Sequence, residues 1–327
     1  MSATRTTGEP RTPSGLAVPA RRSVWQSERW IPILMLLPSL VLIGVFVYAF
    51  IVWTGFVSLT GWKTMVKDLS FVGLANYELL FQDFRFQSDM RNTLMFTVIF
   101  IIMTMIIGMF LALMVDRKVR GETFFRNVFL FPMALSFIVT GVVWQWILNP
   151  ATGVNLILKS LGLEHVPDWY VSTTIVPSIP MGQIEFGLPL AIIAVAIAAV
   201  WQMSGFAMAM YLAGLRSISD DLREAARVDG ANEWQLVSKV IIPQLKPISM
   251  SLIIILAHIS LKIFDLIYAM TGPGAMFVTD VPGVYMFETT FRGNNYAQGA
   301  SISIIMLLLV SLFIVPYLAT SMRKEKK

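Results

Sequence analysis

Apolar runs of 20 residues or more, separated by short polar stretches, organise most of this chain. They lie at 30–53, 93–115, 124–148, 188–215, 248–270 and 300–322. Each is long enough to cross a bilayer as a helix, which takes about 20 residues. The first run is too long for a signal-peptide core and no small-residue cleavage site follows it, so it reads as a first membrane span. Pro132 and Pro189 lie inside or at the edge of runs, where neighbouring helices can satisfy the carbonyls that proline frees. Residues 1–29 lack apolar periodicity, and the Arg-, Ser-, Thr- and Pro-rich stretch up to Arg22 reads as a disordered tail.

Composition agrees with the pattern. The 327 residues are 56% hydrophobic and only 14% charged, whereas soluble domains are about a quarter charged. The net charge of +5 is topogenic and does not point to nucleic acid, because Lys and Arg in membrane loops set orientation. With the N-terminus inside, eighteen Lys and Arg fall on inner segments and six on outer ones, Lys262 alone being intramembrane. The expected protein is therefore an all-α, six-span, multi-pass protein of the cell membrane with both termini cytoplasmic. Residues 30–322 form its membrane domain and 323–327 a basic cytoplasmic tail. Trp53, Trp62, Trp144, Trp146 and Trp169 fall near outer boundaries, as interfacial aromatics should.

One inner segment, 216–247, is longer than a connection requires. Asp220, Asp221 and Glu224 precede Arg227 in a short helix, matching the helix dipole, and Gly230 stands just past its end as a C-cap. Asn232 with Gln235 three residues on predicts a capping box for a second helix. Trp234, Val237, Val240 and Ile241 form its apolar stripe, and Pro243 and Pro247 close it. A helix–turn–helix is thus specified locally. The residues alone leave open a docking element, a passive loop, or a helix on the lipid headgroups.

Chemistry inside the spans is sparse. Gln202 and Ser204 stand beside Trp201 in the fourth run; His258, Ser260, Lys262 and Asp265 occupy the fifth. A charged group facing lipid costs about 2.5–3.5 kcal/mol, so these are the candidates for a translocation path. His258, Lys262 and Asp265 at i, i+4 and i+7 would share one helical face. Lys262 and Asp265 could equally neutralise each other at the membrane boundary, with His258 bonded to a neighbouring span. Gln202, Ser204 and His258 would supply neutral donors and acceptors, and Trp201 an aromatic face, to a polar ligand. Gly205, Gly214 and the alanines of 191–199 suggest close helix packing, within the chain or against a second subunit. No Gly-Lys dipeptide exists for a P-loop, no G-x-S-x-G occurs, and there is no cysteine. No catalytic residue and no metal site is expected in this chain.

Glu224-Ala225-Ala226, three residues, Gly230, nine residues, then Val240-Ile241-Ile242-Pro243 resembles the EAA signature of ABC-importer permeases. Val240 and Ile242 are conservative departures from it. Phe71-Val72-Gly73-Leu74-Ala75-Asn76-Tyr77, Asn92-Thr93-Leu94, Phe131-Pro132-Met133-Ala134, Trp146-Ile147-Leu148-Asn149-Pro150 and Phe264-Asp265-Leu266 resemble the carbohydrate branch of that family. Residues 257–265 with Thr279-Asp280-Val281-Pro282 are most similar to glucose/mannose and α-glucoside members. No outer segment is long enough for the large insert of some maltose permeases. The resemblance implies a type I ABC-importer permease fold, with 216–247 as the coupling loop. Glu224, Ala225, Ala226, Asp229 and Gly230 would then meet a separate ATPase. It also implies a second homologous permease, an ATPase dimer that binds ATP and Mg, and an extracytoplasmic solute-binding protein delivering a sugar. An ion-gradient-driven secondary transporter and a non-transport scaffold or membrane enzyme are the rival classes.

Overall fold

The structure is a computed structural model that describes residues 27–116 and 121–325. The tail expected over 1–29 (apart from 27–29), the inner-side cations Arg117, Lys118 and Arg120, and Lys326 and Lys327 lie outside the described residues. By its internal contacts the chain divides into two units, one up to Val52 and one from Trp53 onward.

Helix α1 (Pro32–Val57) contains a π-helical turn at Gly44–Ala49 and keeps its apolar side chains exposed from Ile33 to Phe56. In water such a surface would aggregate; in a bilayer it meets acyl chains at no cost. The further elements that frame the site are α2 (Phe84–Asp116), α3 (Glu122–Leu130), α4 (Phe137–Ile147), a hairpin of β1 (Ile175–Met181) and β2 (Ile184–Pro189), α5 (Leu190–Ser217), α6 (Asp220–Val228), α7 (Lys246–Leu261), α8 (Asp265–Met270) and α9 (Tyr296–Glu325), with shorter helical turns between them.

Helix α5 is the axis of the second unit. Its apolar window is 67% buried, against 28% for α2 and 24% for α9. Ala191, Ala194, Ala198, Ala199 and Ala207 give it a surface without bulk, and α2 packs along it more extensively than any other pair of elements. At Gly108 the backbones nearly touch, since a Cβ there would collide with Ala207. Between helices in lipid, close approach of small residues supplies the packing that hydrophobicity cannot. The expected small-residue contacts are made inside the chain: Gly205 lies against the Phe129 carbonyl and Gly214 against Leu245 and Ile248.

Two runs are not straight spans. The third breaks by 100° between α3, with its 3-10 extension Phe131–Ala134, and α4; Pro132 removes a donor there and Ser136 caps the restart, accepting from the Val139 N–H. The fifth follows a 66° bend at Leu245, between Gln244 and Lys246, and then ends at Leu261 instead of running to Met270. Among the described residues, four helices are therefore long and apolar enough to cross a membrane, or up to six if each bent pair is one span. The all-α expectation also misses the hairpin, in which Ile175 pairs with Pro189 and Met181 with Ile184 around the Gly182-Gln183 turn. Pro177 and Pro180 hide that strand, because proline within a run argues against one.

Candidate functional site

The segment between α5 and α7 folds as its caps dictate. Gly230 takes φ +85°, the Ala231 N–H bonds the Ala226 carbonyl at 3.0 Å, and the Gly230 N–H bonds that of Arg227 at 3.0 Å. This is a complete Schellman termination. The next turn opens with the expected capping box: Asn232 Oδ1 accepts from the Gln235 N–H at 2.9 Å and Gln235 Oε1 from the Asn232 N–H at 3.0 Å. A π-helical turn over Leu236–Ile241 then alters the register. Leu236 and Ile241 are buried and Val237 and Val240 half-buried, but Trp234 is 77% exposed and stands outside the expected stripe.

Arg223 anchors α6. Its Nη1 donates to Asp116 Oδ2 and its Nη2 to the Leu215 carbonyl, both at 2.7 Å, tying α6 to the ends of α2 and α5. Arg227 pairs with Glu233 across the turn at 3.2 Å, and Arg216 pairs with Glu122. Of the predicted coupling residues, Glu224, Ala225, Asp229 and Gly230 are exposed together, whereas Ala226 is half-buried against the core. Val228, 86% exposed, and Trp234 add an apolar pair to the same short segment. Sequence reasoning passed over Val228 and counted Trp234 in the apolar stripe of the second helix.

The intramembrane candidates do not form one group. Trp201 and Ser204 line a cavity of about 510 Å³ with Ile99, Met103, Trp144 and Ala196, and Trp201 meets Trp144 edge-on at 5.8 Å. That wall is almost wholly apolar. Gln202 is buried and its Nε2 donates to the Leu135 carbonyl at 2.7 Å, in the break between α3 and α4. His258, Lys262 and Asp265 lose the expected common face, because the helix ends between them: Lys262 caps α7, Phe264 leaves helical geometry, and Asp265 opens α8. Lys262 and Asp265 are both exposed and make no ion pair with each other or any other described residue, while His258 is half-buried.

A charged network that the sequence reading did not assemble lies at the opposite end of α2 from Asp116. Arg85 donates to Asp280 at 2.5 Å and to Glu288 at 2.6 Å, with its guanidinium over the rings of Phe277 and Tyr285. The Asn92 amide donates to the Phe277 and Asp280 carbonyls, and Arg91 to the Glu185 carbonyl in the hairpin. Tyr285 donates to Asp83 at 3.1 Å. Burial pushes the Asp280 carboxyl above the ordinary carboxylate range, opposed by Arg85. A signal was present: Asn92-Thr93-Leu94 and Thr279-Asp280-Val281-Pro282, noted separately as family-like, are contact partners.

Comparison with known proteins agrees with this architecture. The sequence model of the family described as "Binding-protein-dependent transport system inner membrane component" matches residues 104–324. A probable ABC transporter permease protein of Pyrococcus horikoshii is 38% identical, over 90% of this chain and 97% of its own. The xylose/arabinose import permease protein XacH of Haloferax volcanii is 34% identical over 85% of this chain and 84% of its own. The glucose import system permease protein GlcT of Saccharolobus solfataricus is 26% identical over 89% and 96%. Among solved structures, a bacterial ABC transporter for alginate import superposes with a TM-score of 0.75 at 22% identity, covering 92% of this chain and 99% of that one. The same kind of transporter in complex with an alginate pentasaccharide-bound periplasmic protein gives 0.71 at 22% identity, covering 89% and 96%.

Proposed function

Because the chain belongs to the family of binding-protein-dependent transport system inner membrane components, multi-pass proteins of the membrane, we propose that it is the permease subunit of an ATP-driven sugar importer. It forms half of the translocation path, the other half coming from a second, homologous permease. A solute-binding protein delivers the sugar from outside, and the ATPase is a separate dimer that holds ATP and Mg. Both termini and 216–247 face the cytoplasm, in line with the excess of positive charge on those segments. The sugar class is supported by the xylose/arabinose and glucose import permeases among its relatives.

The observation that carries the coupling role is the combination of rigidity and exposure in 216–247. Arg223 fixes α6 to two long helices, while Glu224, Ala225, Asp229, Gly230, Val228 and Trp234 stay open. A lever must be stiff at its base and accessible at its tip. Movement of a docked ATPase is then passed to the ends of α2 and α5, and the path opens alternately to the two sides. Trp201 and Ser204 contribute to the path from the cavity wall, Gln202 by holding the break beside it. His258, Lys262 and Asp265 offer polar groups on the surface that the second permease would complete.

Gly230→Trp tests this reading. No atom lies within 4 Å of a Cβ at Gly230, so the spans have room for the change, but φ +85° strains any L side chain and the bulk stands on the docking surface. Loss of ATPase co-purification and of sugar uptake is expected; unchanged association and uptake would sink the coupling role. Broken spans are also used by ion-gradient-driven carriers. Uptake abolished by an uncoupler while ATP stays high would favour that rival.

A further inference from the structure

At the end of α2 away from the coupling segment is a second, polar cleft of about 280 Å³, bounded by Lys63, Asn76, Gln82, Asp83, Asn295 and Gln298. Helix α2 has 33 residues and so is about 50 Å long, and its far end is held to α6 through Asp116 and Arg223. The cleft is therefore on the side of the membrane opposite to 216–247. It is distinct from the apolar cavity at Trp201, with which it shares no residue.

Several of its polar groups are fixed in place by the chain. Asn76 gives both amide hydrogens to the Ser58 and Thr60 carbonyls at 2.9 Å, and no described residue donates to its Oδ1. Asp83 Oδ1 accepts from the backbone N–H groups of Arg85 and Phe86, and Oδ2 from Tyr285. Asn295 and Gln298 hold each other, by an amide–amide bond of 2.7 Å and by the Gln298 N–H on Asn295 Oδ1, and Gln298 also donates to Tyr285 at 2.7 Å. Each of these two amides keeps one N–H unused. The side chains of Lys63 and Gln82, by contrast, are exposed and make no hydrogen bond or ion pair with described residues. The walls thus present placed acceptors, placed donors and two adaptable arms. One cation and one carboxylate balance each other, so neither an anion nor a metal cation is favoured. A neutral ligand with many hydroxyl groups, each both donor and acceptor, matches this set.

We infer that the cleft is a carbohydrate subsite on the outer face, which holds one sugar unit beside the mouth of the path. The inference rests on the sugar-import reading. The volume lies just below the usual range of ligand pockets, roughly 300–1,000 Å³, and suits a single pentose or hexose unit. A few solvent-accessible hydrogen bonds give affinity on the order of millimolar, weak enough to release the sugar onward.

The test uses the intact permease–ATPase complex in lipid nanodiscs, without the solute-binding protein. D-xylose, D-glucose, maltose and, as a zwitterionic control, glycine betaine are titrated by saturation-transfer NMR. The comparison is with Lys63→Ala/Gln82→Ala, which removes only side chains that brace nothing. Uptake is measured in parallel with the binding protein present. The expected result is sugar binding weakened about tenfold in the double variant, the loss of one or two hydrogen bonds, with a higher KM for uptake. If the wild-type complex imports a sugar that the double variant binds as tightly, the subsite is overturned and the import reading stands. If the wild type neither binds nor imports any of the sugars, both fall. Glycine betaine binding that disappears in the double variant would overturn the carbohydrate class.

Discussion

Arg223 bonds at the same distance, 2.7 Å, to Asp116 at the end of α2 and to the Leu215 carbonyl near the end of α5, so one guanidinium carries the exposed helix α6 on both long helices. Its side chain is 17% exposed and that of Asp116 14%, dry enough for the charged bonds to resist solvent. Hydrogen bonds to charged groups contribute about 1.5–3 kcal/mol each. Arg223→Ala is therefore expected to leave the spans folded and the ATPase bound but to loosen the lever. Sugar transported per ATP hydrolysed should fall several-fold, with hydrolysis itself maintained. An unaltered ratio in reconstituted vesicles would count against Arg223 as the transmitting contact.

The Arg85–Asp280 pair joins the start of α2 to the loop before Pro282, and it makes stability depend on pH. Burial raises the Asp280 carboxyl and Arg85 opposes the rise. A carboxyl raised in the folded state holds its proton more tightly there than in the unfolded chain. Its contribution is best at acid pH and becomes unfavourable as pH climbs from the ordinary carboxylate range through the folded value. Arg85→Met removes the opposing cation and leaves Asp280 facing Glu288, with Asp89 buried nearby. Breaking one side of a buried pair costs about 3–5 kcal/mol. Thermal unfolding of the variant should show a larger deficit at pH 8 than at pH 5. Adding Asp280→Asn should reduce that difference.

Gly108 of α2 lies against Ala207–Met208 of α5, and Gly205 of α5 against the Phe129 backbone at the end of α3. In an open helix a glycine replaced by alanine gains about 1 kcal/mol. Here a side chain has no room, and overpacking costs about 1–3 kcal/mol. Gly108→Val and Gly205→Val should lower the yield of monodisperse protein and its melting temperature in detergent. Gly44→Ala, in α1 with nothing within 4 Å of the new methyl, should do neither. Equal behaviour of all three would refute the close-packing account.

What could be read from the residues follows the range of the forces involved. The caps at Gly230 and at Asn232 with Gln235 act over three to five positions, and each is found as expected. Trp234 leaves the stripe it is expected to share with Val237, Val240 and Ile241, because a π-helical turn over Leu236–Ile241 alters the register between them, and no local pattern announces that turn. The apolar run predicts a span from Thr93, with Arg85 and Arg91 on an outer segment. Helix α2 begins at Phe84, since Asp280 and Glu288, about two hundred positions away, and the Glu185 carbonyl meet those cations. The shared face of His258, Lys262 and Asp265 assumed an unbroken helix past Leu261, and the turn at Lys262–Phe264 removes that premise.

Gln202 allows the structural and path roles of the fourth run to be separated. Its Nε2 donates to the Leu135 carbonyl, a group left without a helical partner where the chain turns by 100° between α3 and α4. In an apolar setting an orphaned carbonyl costs about 1–3 kcal/mol, so Gln202 is a brace by geometry. Gln202→Leu removes the donor and should lower the melting temperature in detergent, while Gln202→Glu, with the same reach but a charge, should do worse. If the brace is its whole contribution, variants that remain folded will import sugar with an unchanged KM and a reduced maximal rate that tracks the amount of intact complex. A direct contact to sugar predicts the opposite division: KM rises severalfold in Gln202→Leu at equal amounts of folded complex. Measuring uptake per assembled transporter over a range of sugar concentrations, beside the melting temperature of each variant, decides between the two.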